Sequence, residues 1–176
     1  MTLDEALAGK EIPEEIRASL ALLQVPYLNF DRIEQTGYLV LHHSLTEEVR
    51  EIFAILRGRS FPFEKIRPIS SYGWSDAASM VDNNTVAFDY RPVTGDASRL
   101  SNHARGCAID INPRLNPYSK GEIVLPPHAR YDPIARGAVT ASVAELFKSR
   151  GWSWGGDWTN LKDWQHFEKV LPDVNS

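Results

Sequence analysis

The segment SNHARGCAIDIN, residues 101–112, constrains the fold more than any other part of the chain. From Cys107 onward it alternates, so in a β-strand the cysteine and the two isoleucines face one side and Asp110 the other. A fully extended chain would hold His103 about 23 Å from Asp110, at about 3.3 Å per residue. The two side chains can meet only if the chain bends between them. Gly106 permits such a bend, because glycine adopts positive φ without steric cost.

Two longer segments show the periodicity of amphipathic helices. Residues 44–58, SLTEEVREIFAILRG, carry apolar residues at helical spacing, and Ser44 with Glu47 matches a capping box. A second helix is predicted over residues 133–150, with Asp132 as its N-cap. Both helices are expected to pack an apolar face against a core.

Short runs around these helices predict β-strands, and the whole layout is mixed α and β. The predicted strands are residues 38–41, 65–70 and 107–112, with a further pair from GWSWGG (151–156) to HFEK (166–169). The stretches 75–100 and 112–133 are long for plain connectors, and such loops are often functional. We place an N-terminal extension at residues 1–30, packed on or flanking a domain at residues 31–176.

Composition limits the partners of this chain. Its 176 residues are 43% hydrophobic and 24% charged with a net charge of −4, which is ordinary for a globular protein and offers no basic surface for nucleic acid. No apolar stretch approaches the roughly 20 residues that span a bilayer. Acidic residues stand where a signal peptide needs basic ones, so we expect no export signal in this chain. Cys107 is the single cysteine, and its place on the apolar strand face favours a small buried hydrophobe over a ligand.

A second polar cluster lies near the C-terminus, in WGGDWTNLKDWQHFE, residues 154–168. Asp163 and His166 are three positions apart, so in a helical or tight-turn conformation they lie on the same side. One could bind a metal while the other addresses a water on it. The alternative is a solvated turn. The aromatic residues around the pair, Trp152, Trp154, Trp158, Trp164 and Phe167, are expected in core and rim packing and not in a cofactor site.

Taken together, the two clusters supply a catalytic type of metal site. His103, Asp110 and His166 are three ligands, and Asp163 remains as a base. Three protein ligands with an open position are the pattern of catalytic zinc, whereas structural sites are usually closed by four ligands and rich in cysteine. The alternative for the first cluster is a capped turn that runs into a strand, with a surface histidine and aspartate.

These residues resemble a known family. SNHARGCAIDIN followed by GGDWTNLKDWQHFE is similar to the Ser-x-His-x-x-Gly-x-Ala-x-Asp and Asp/Glu-x-x-His motifs of the D-Ala-D-Ala carboxypeptidase-like (VanY-like) zinc peptidases. The likeness runs from about Phe61 to Lys169. It implies an α+β fold of the hedgehog/D,D-peptidase type, in which a small, mainly antiparallel sheet packs against helices beside a zinc cleft.

The resemblance also implies roles for individual residues. His103, Asp110 and His166 match the zinc ligands, Asp163 the catalytic base, and Ser101 a serine that helps to hold the substrate.

The family's arginine near the metal has no direct match. In many members it stands in a Tyr-Arg-Ser motif, and here Gly73, in SYGWSD, occupies its place. Arg91, in FDYRP, is our candidate substitute. The alternative is that Arg91 pairs with a nearby acid such as Asp89 on the surface.

The function implied is a zinc-dependent peptidase that hydrolyses peptidoglycan stem peptides, first of all as a D-Ala-D-Ala carboxypeptidase. An L-alanyl-D-glutamate endopeptidase and a non-catalytic zinc-binding interaction module are the alternatives. The expected partner is a stem peptide or muropeptide, with no nucleic acid, no membrane span and a monomeric chain. From that substrate we expect a location in the cell envelope, although the sequence shows no signal peptide.

Overall fold

A computed structural model describes residues 1–93 and 95–172 of the chain. Its helices are α1 (Leu3–Ala6), α2 (Glu14–Ser19), α3 (Thr46–Gly58), α4 (Asp76–Val81) and α5 (Ala141–Lys148). Its strands are β1 (Leu20–Leu28), β2 (Glu34–His42), β3 (Lys65–Ile66), β4 (Asn84–Thr85), β5 (Pro92–Val93), β6 (Asp96–Leu100), β7 (Ala108–Asp110), β8 (Tyr118–Lys120), β9 (Ile123–Leu125), β10 (Ser153–Trp154), β11 (Lys162–Asp163) and β12 (His166–Glu168). The fold is therefore α+β with small, mainly antiparallel sheets, as predicted.

A long antiparallel hairpin supports the main core. Strands β1 and β2 pair along their whole length, from Leu20 opposite His42 to Leu28 opposite Glu34. From the sequence, only residues 38–41 of this hairpin are predicted as a strand, and no strand is predicted before residue 30. Residue 30 lies in the loop between the two strands. The division of the chain into an extension and a domain at that residue stays a prediction.

Helix α3 packs on this hairpin, and its apolar stripe is fully buried. Val49, Ile52, Phe53 and Leu56 all belong to the main core, as the helical spacing predicts. The predicted capping box is wrong. Residues 43–45 form a 3-10 turn, so helix α3 begins at Thr46. Its N-cap is Leu45, and no side chain caps the helix. The backbone N–H of Ser44 instead donates to Nδ1 of His42.

The second predicted helix is shorter than the sequence indicates. Helix α5 begins at Ala141, not at residue 133, and the Asp132 carboxylate accepts the N–H of Ile134 in a turn. The buried side chain of Asn116 explains the late start: its amide donates to the carbonyl of Gly137 and its oxygen accepts the N–H of Val139. Backbone groups that a helix would need are already bonded to this asparagine.

A three-stranded antiparallel sheet, in the order β10-β12-β7, carries the candidate site. The predicted strand 107–112 is confirmed over Ala108–Asp110. Cys107 and the two isoleucines after it are buried in the main core, as the alternation predicts. Asp110, on the opposite face, is also buried. That face therefore lies inside the protein, at the base of a cleft, and not on an open surface.

Two other segments depart from the predicted pattern. Residues 65–70 form only the two-residue strand β3 before a 3-10 turn at Ile69–Tyr72. The first helices pack on a second apolar cluster, in which Ala6 and Leu7 contact residues of both hairpin strands and Phe88. Among the described residues, no helix is both long and apolar enough to cross a membrane.

Gly106 makes the bend that the sequence requires. Its φ is +68°, and an added Cβ would lie 2.4 Å from the backbone nitrogen of His42 and 2.8 Å from the carbonyl carbon of Leu41. Its carbonyl also accepts the N–H of His42 at 2.9 Å. The bend between His103 and Asp110 is thus packed directly against the end of β2.

We expect Gly106→Ala to lower the free energy of unfolding by about 2–4 kcal/mol, since it adds a backbone clash to the strain of positive φ. Chemical denaturation measures this change. Gly121→Ala is the matched control, because Gly121 has a φ of +59° and nothing within 4 Å of an added Cβ. Equal losses of unfolding free energy in the two variants would show that the contact between Gly106 and β2 contributes nothing to stability.

Candidate active site

Three elements bring the predicted metal ligands together. His103 lies in the 3-10 turn Asn102–Arg105, where its backbone N–H donates to Oγ of Ser101. Asp110 ends β7, and His166 begins β12 directly opposite it in the antiparallel register. Antiparallel pairing places directly opposite side chains about 5 Å apart on the same face. The ladder therefore brings together two residues 56 positions apart in the chain.

The ligand atoms of this cluster face one another. His103 Nε2 lies 3.2 Å from Asp110 Oδ2 and 3.2 Å from His166 Nδ1, and His166 Nδ1 lies 2.9 Å from Asp110 Oδ1. The relative exposures of His103, Asp110 and His166 are 2%, 5% and 7%. One ligand atom from each lies within 4.8 Å of the others. The alternative of a surface histidine and aspartate does not describe this arrangement.

The outward nitrogen of each imidazole is also engaged. His103 Nδ1 contacts the carbonyl oxygen of Ala87, and His166 Nε2 lies 3.1 Å from Oε2 of Glu168. Asn102 donates to the same Glu168 oxygen at 2.8 Å. Hydrogen bonds of this kind fix the ring tautomer and leave the inward nitrogen free to bind a metal. Two imidazoles and one carboxylate form a donor set that fits Zn²⁺.

The contacts within the cluster also shift the pKa values of its side chains. Burial alone would raise the pKa of Asp110, but the charge and hydrogen bond of His103, and then those of His166, hold it well below its usual range. Burial would lower the pKa of His166, but hydrogen bonds with Asp110 and Glu168 raise it to about 10. The hydrogen bond from His166, against the opposing effect of burial, lowers the pKa of Glu168 to about 2. The two carboxylates, Asp110 and Glu168, thus favour positive charge at the ring of His166.

Asp163 lies at the edge of the same cleft. It ends β11, and a two-residue turn at 164–165 leads to His166 in β12, so the tight turn and not a helix brings them together. Burial, and then the negative charge of Asp110, raises the pKa of Asp163 to about 7. The Nε2 of Gln165 donates to its Oδ1 at 3.1 Å. This carboxyl group can gain and lose a proton near neutral pH.

Aromatic packing holds the turn that connects Asp163 to His166. The ring of Trp164 stacks on Tyr131 with a centroid distance of 3.9 Å. Trp154 donates from Nε1 to the carbonyl of Trp164 at 3.0 Å. Trp152 and Trp154 belong to the main core. The predicted core and rim packing of these aromatic residues is confirmed.

The cleft has a volume of about 430 Å³ and two hairpin walls. One wall is the β5–β6 hairpin, which contributes Val93, Arg99 and Leu100. The other is the β8–β9 hairpin, which contributes Tyr118, Lys120 and Leu125. Both long stretches singled out in the sequence, 75–100 and 112–133, therefore reach the cleft.

Arg91 lines the cleft and is already ion-paired. Its Nε lies 3.0 Å from Oδ2 of Asp89, and its Nη2 lies 3.4 Å from Oδ2 of Asp76. Arg91 thus pairs with Asp89, as the alternative predicts. The pair does not lie on the surface, however, because Asp89 is buried. Gly73 ends a 3-10 turn with a φ of +58°, where a larger residue would be strained.

Several residues of the cleft are not predicted from the sequence. Glu168 had a usable signal, because it stands two positions after His166 and strand alternation puts both on one face. Tyr118 had none, since only the pairing of β8 with β11 brings it opposite Asp163. Gln165 is two positions from Asp163, and its contact depends on the turn between β11 and β12. Asp76 likewise reaches Arg91 from a separate helix.

We expect His103→Ala and Asp110→Ala to lose zinc binding, and Asp163→Ala to keep it, because only the first two remove an atom of the cluster. Competition titration against a chromogenic chelator measures the affinity, with circular dichroism as the control for folding. Equal zinc affinity in all three variants would contradict the ligand assignment.

We expect Glu168→Ala to weaken zinc binding by about 10- to 100-fold, since loss of such an outer hydrogen bond frees the ring of His166. Glu168→Gln should lose less, because its amide oxygen still accepts from Nε2. Glu122→Ala, at an exposed position of the β8–β9 turn, is the control. Unchanged affinity in Glu168→Ala would show that this carboxylate does not orient the ligand.

Part of the chain is similar to a known protein family. Residues 94–169 match the family model described as D-alanyl-D-alanine carboxypeptidase. The matched segment includes all three residues of the His-Asp-His cluster and Asp163. No curated protein and no solved structure matches the chain.

Proposed function

Because residues 94–169 match the family model described as D-alanyl-D-alanine carboxypeptidase, we propose that the protein is a zinc-dependent peptidase that removes D-alanine from peptidoglycan stem peptides. The observation that carries the proposal is the convergence of His103, Asp110 and His166 within 4.8 Å, inside a cleft that Asp163 also lines. The proposal includes a zinc cleft in a fold of the hedgehog/D,D-peptidase type. The small antiparallel sheets and the few helices are compatible with that fold.

The metal and the protein divide the chemistry between them. When bound at such a site, zinc polarises carbonyl oxygens and makes water more acidic. Asp163 acts as the general base, taking a proton from the attacking water, and then as the acid that returns it to the leaving amine. General catalysis is most efficient when the pKa lies near the working pH. The burial that raises the pKa of Asp163 to about 7 therefore suits it to both steps.

The cleft also carries the charges that a free peptide carboxylate requires. Four cationic side chains line it, namely Arg91, Arg99, Arg105 and Lys120. We assign Arg91 to the substrate's carboxylate or the oxyanion, held in place by Asp76 and Asp89. Ser101 is assigned to hold the substrate, besides capping the turn that carries His103.

Hydrolysis of defined muropeptides tests the proposal. We expect the zinc-loaded protein to release D-alanine from pentapeptide stems, as detected by mass spectrometry. A chelator should stop the reaction and added zinc should restore it. Asp163→Ala should lower kcat by about 10²- to 10⁴-fold, the usual worth of general acid–base catalysis.

Other products would identify the alternatives. Cleavage between L-alanine and D-glutamate would indicate an endopeptidase and contradict the carboxypeptidase proposal. A protein that binds zinc but cleaves none of these stems would be the interaction module, which the presence of Asp163 in the cleft does not favour.

A further inference from the structure

The carboxylate of Asp163 depends on one neighbour for its orientation. Among the residues that the structure describes, the Nε2 of Gln165 gives it its single hydrogen bond, at 3.1 Å. Gln165 is itself only 3% exposed. Its backbone carbonyl accepts the N–H of Ile111 at 3.0 Å, which ties Gln165 to the residue after Asp110. Gln165 is therefore a fixed partner for the candidate base.

The backbone of Asp163 has little freedom to compensate for the loss of this partner. A Cβ added to Gly155 would lie 2.5 Å from the carbonyl oxygen of Asp163 and 2.8 Å from its Cβ. On the other side, Tyr131 stacks on Trp164, the next residue in the chain. With the main chain held in this way, the direction of the carboxylate is set by its side-chain hydrogen bond.

The other end of the same carboxamide is unusual. Oε1 of Gln165 is buried and has no hydrogen-bond partner, the one such side-chain atom among residues 1–93 and 95–172. Buried polar atoms are almost always satisfied, so an unsatisfied acceptor beside a reacting group calls for a chemical explanation. The adjacent carboxyl group supplies one, since it becomes a donor when it is protonated.

We propose that Gln165 is a positioning residue that serves Asp163 in both protonation states. While Asp163 is ionised, Nε2 donates to its Oδ1. When Asp163 has taken the proton of the attacking water, the carboxamide turns about its last bond and Oε1 accepts the new O–H. The proton then passes to the leaving nitrogen, Asp163 is ionised again, and the carboxamide turns back.

This inference rests on the proposed function, because it takes Asp163 as the residue that carries the proton. It adds a requirement for a neutral carboxamide at position 165. A donor to the ionised form is the stronger of the two contacts, because hydrogen bonds to charged groups are about twice as strong as neutral ones. Removal of the carboxamide should therefore disfavour the ionised form and raise the pKa of Asp163.

Gln165→Met tests the inference, since methionine keeps the length of the side chain and removes both polar atoms. We expect kcat to fall by about 10- to 100-fold with little change in KM, which corresponds to one hydrogen bond to a charged group. The acidic limb of the kcat/KM profile should move up by about one pH unit, while zinc affinity stays unchanged. Gln24→Met, at an exposed position of β1, is the matched control.

Gln165→Glu provides a second test should the methionine variant fail to fold. It places a second carboxyl group beside Asp163, so the acidic limb should again move to higher pH, because like charges disfavour ionisation. A wild-type pH profile in either folded variant would overturn the inference. So would a loss of activity that zinc loss fully explains.

A titration without substrate separates this inference from the proposed function. The side-chain carboxyl carbon of Asp163 can be followed by NMR in the zinc-loaded wild-type and Gln165→Met proteins. We expect a higher pKa in the variant even if the wild-type protein cleaves no stem peptide. Identical titration curves would overturn the positioning role whatever the substrate.

Discussion

The pairing of β7 with β12 is the constraint on which the rest of the site depends. It sets Asp110 opposite His166 and leaves both side chains on the buried face of the sheet. This register must be kept, because successive side chains of a strand point to opposite faces and a slip of one residue would turn each of them to the other face. The apolar alternation of residues 107–111 fixes the register from the core side. The hydrophobic core and the candidate metal site are therefore specified by the same ladder.

A buried carboxylate between two buried imidazoles is costly unless a cation is present. Removing an ion from water carries a penalty that only close, well-directed partners offset. Asp110 and Glu168 lie on opposite sides of the His166 ring, 2.9 and 3.1 Å from its two nitrogens, so the site favours positive charge. A divalent cation can bind a nitrogen of the His166 ring only when that nitrogen carries no proton. Metal affinity should therefore depend on pH. The fold thus maintains a site that is electrostatically incomplete without a cation.

Much of this arrangement could be predicted from local sequence, and the remainder could not for identifiable reasons. The alternation after Gly106 and the spacing of Asp163 and His166 are properties of short segments, so they were readable. Strand β1 is missed because its sequence, LALLQVPYL, does not alternate strictly and contains Pro26, and proline within a run argues against a strand. Helix α5 was predicted too long because a buried asparagine from a distant loop bonds the backbone before it. The contact of Glu168 with His166 could be predicted from strand alternation, whereas the contact of Gln165 with Asp163 depends on the turn that precedes β12.

The central claim is that two imidazoles and one carboxylate, far apart in sequence, hold one metal ion. The most direct test is an anomalous-difference map from a crystal of the zinc-loaded protein. We predict a single strong peak bonded to Nε2 of His103, a carboxylate oxygen of Asp110 and Nδ1 of His166, with Asp163 beside it and not bonded to it. A zinc peak held by other residues, or these three side chains pointing away from one another, would contradict the account.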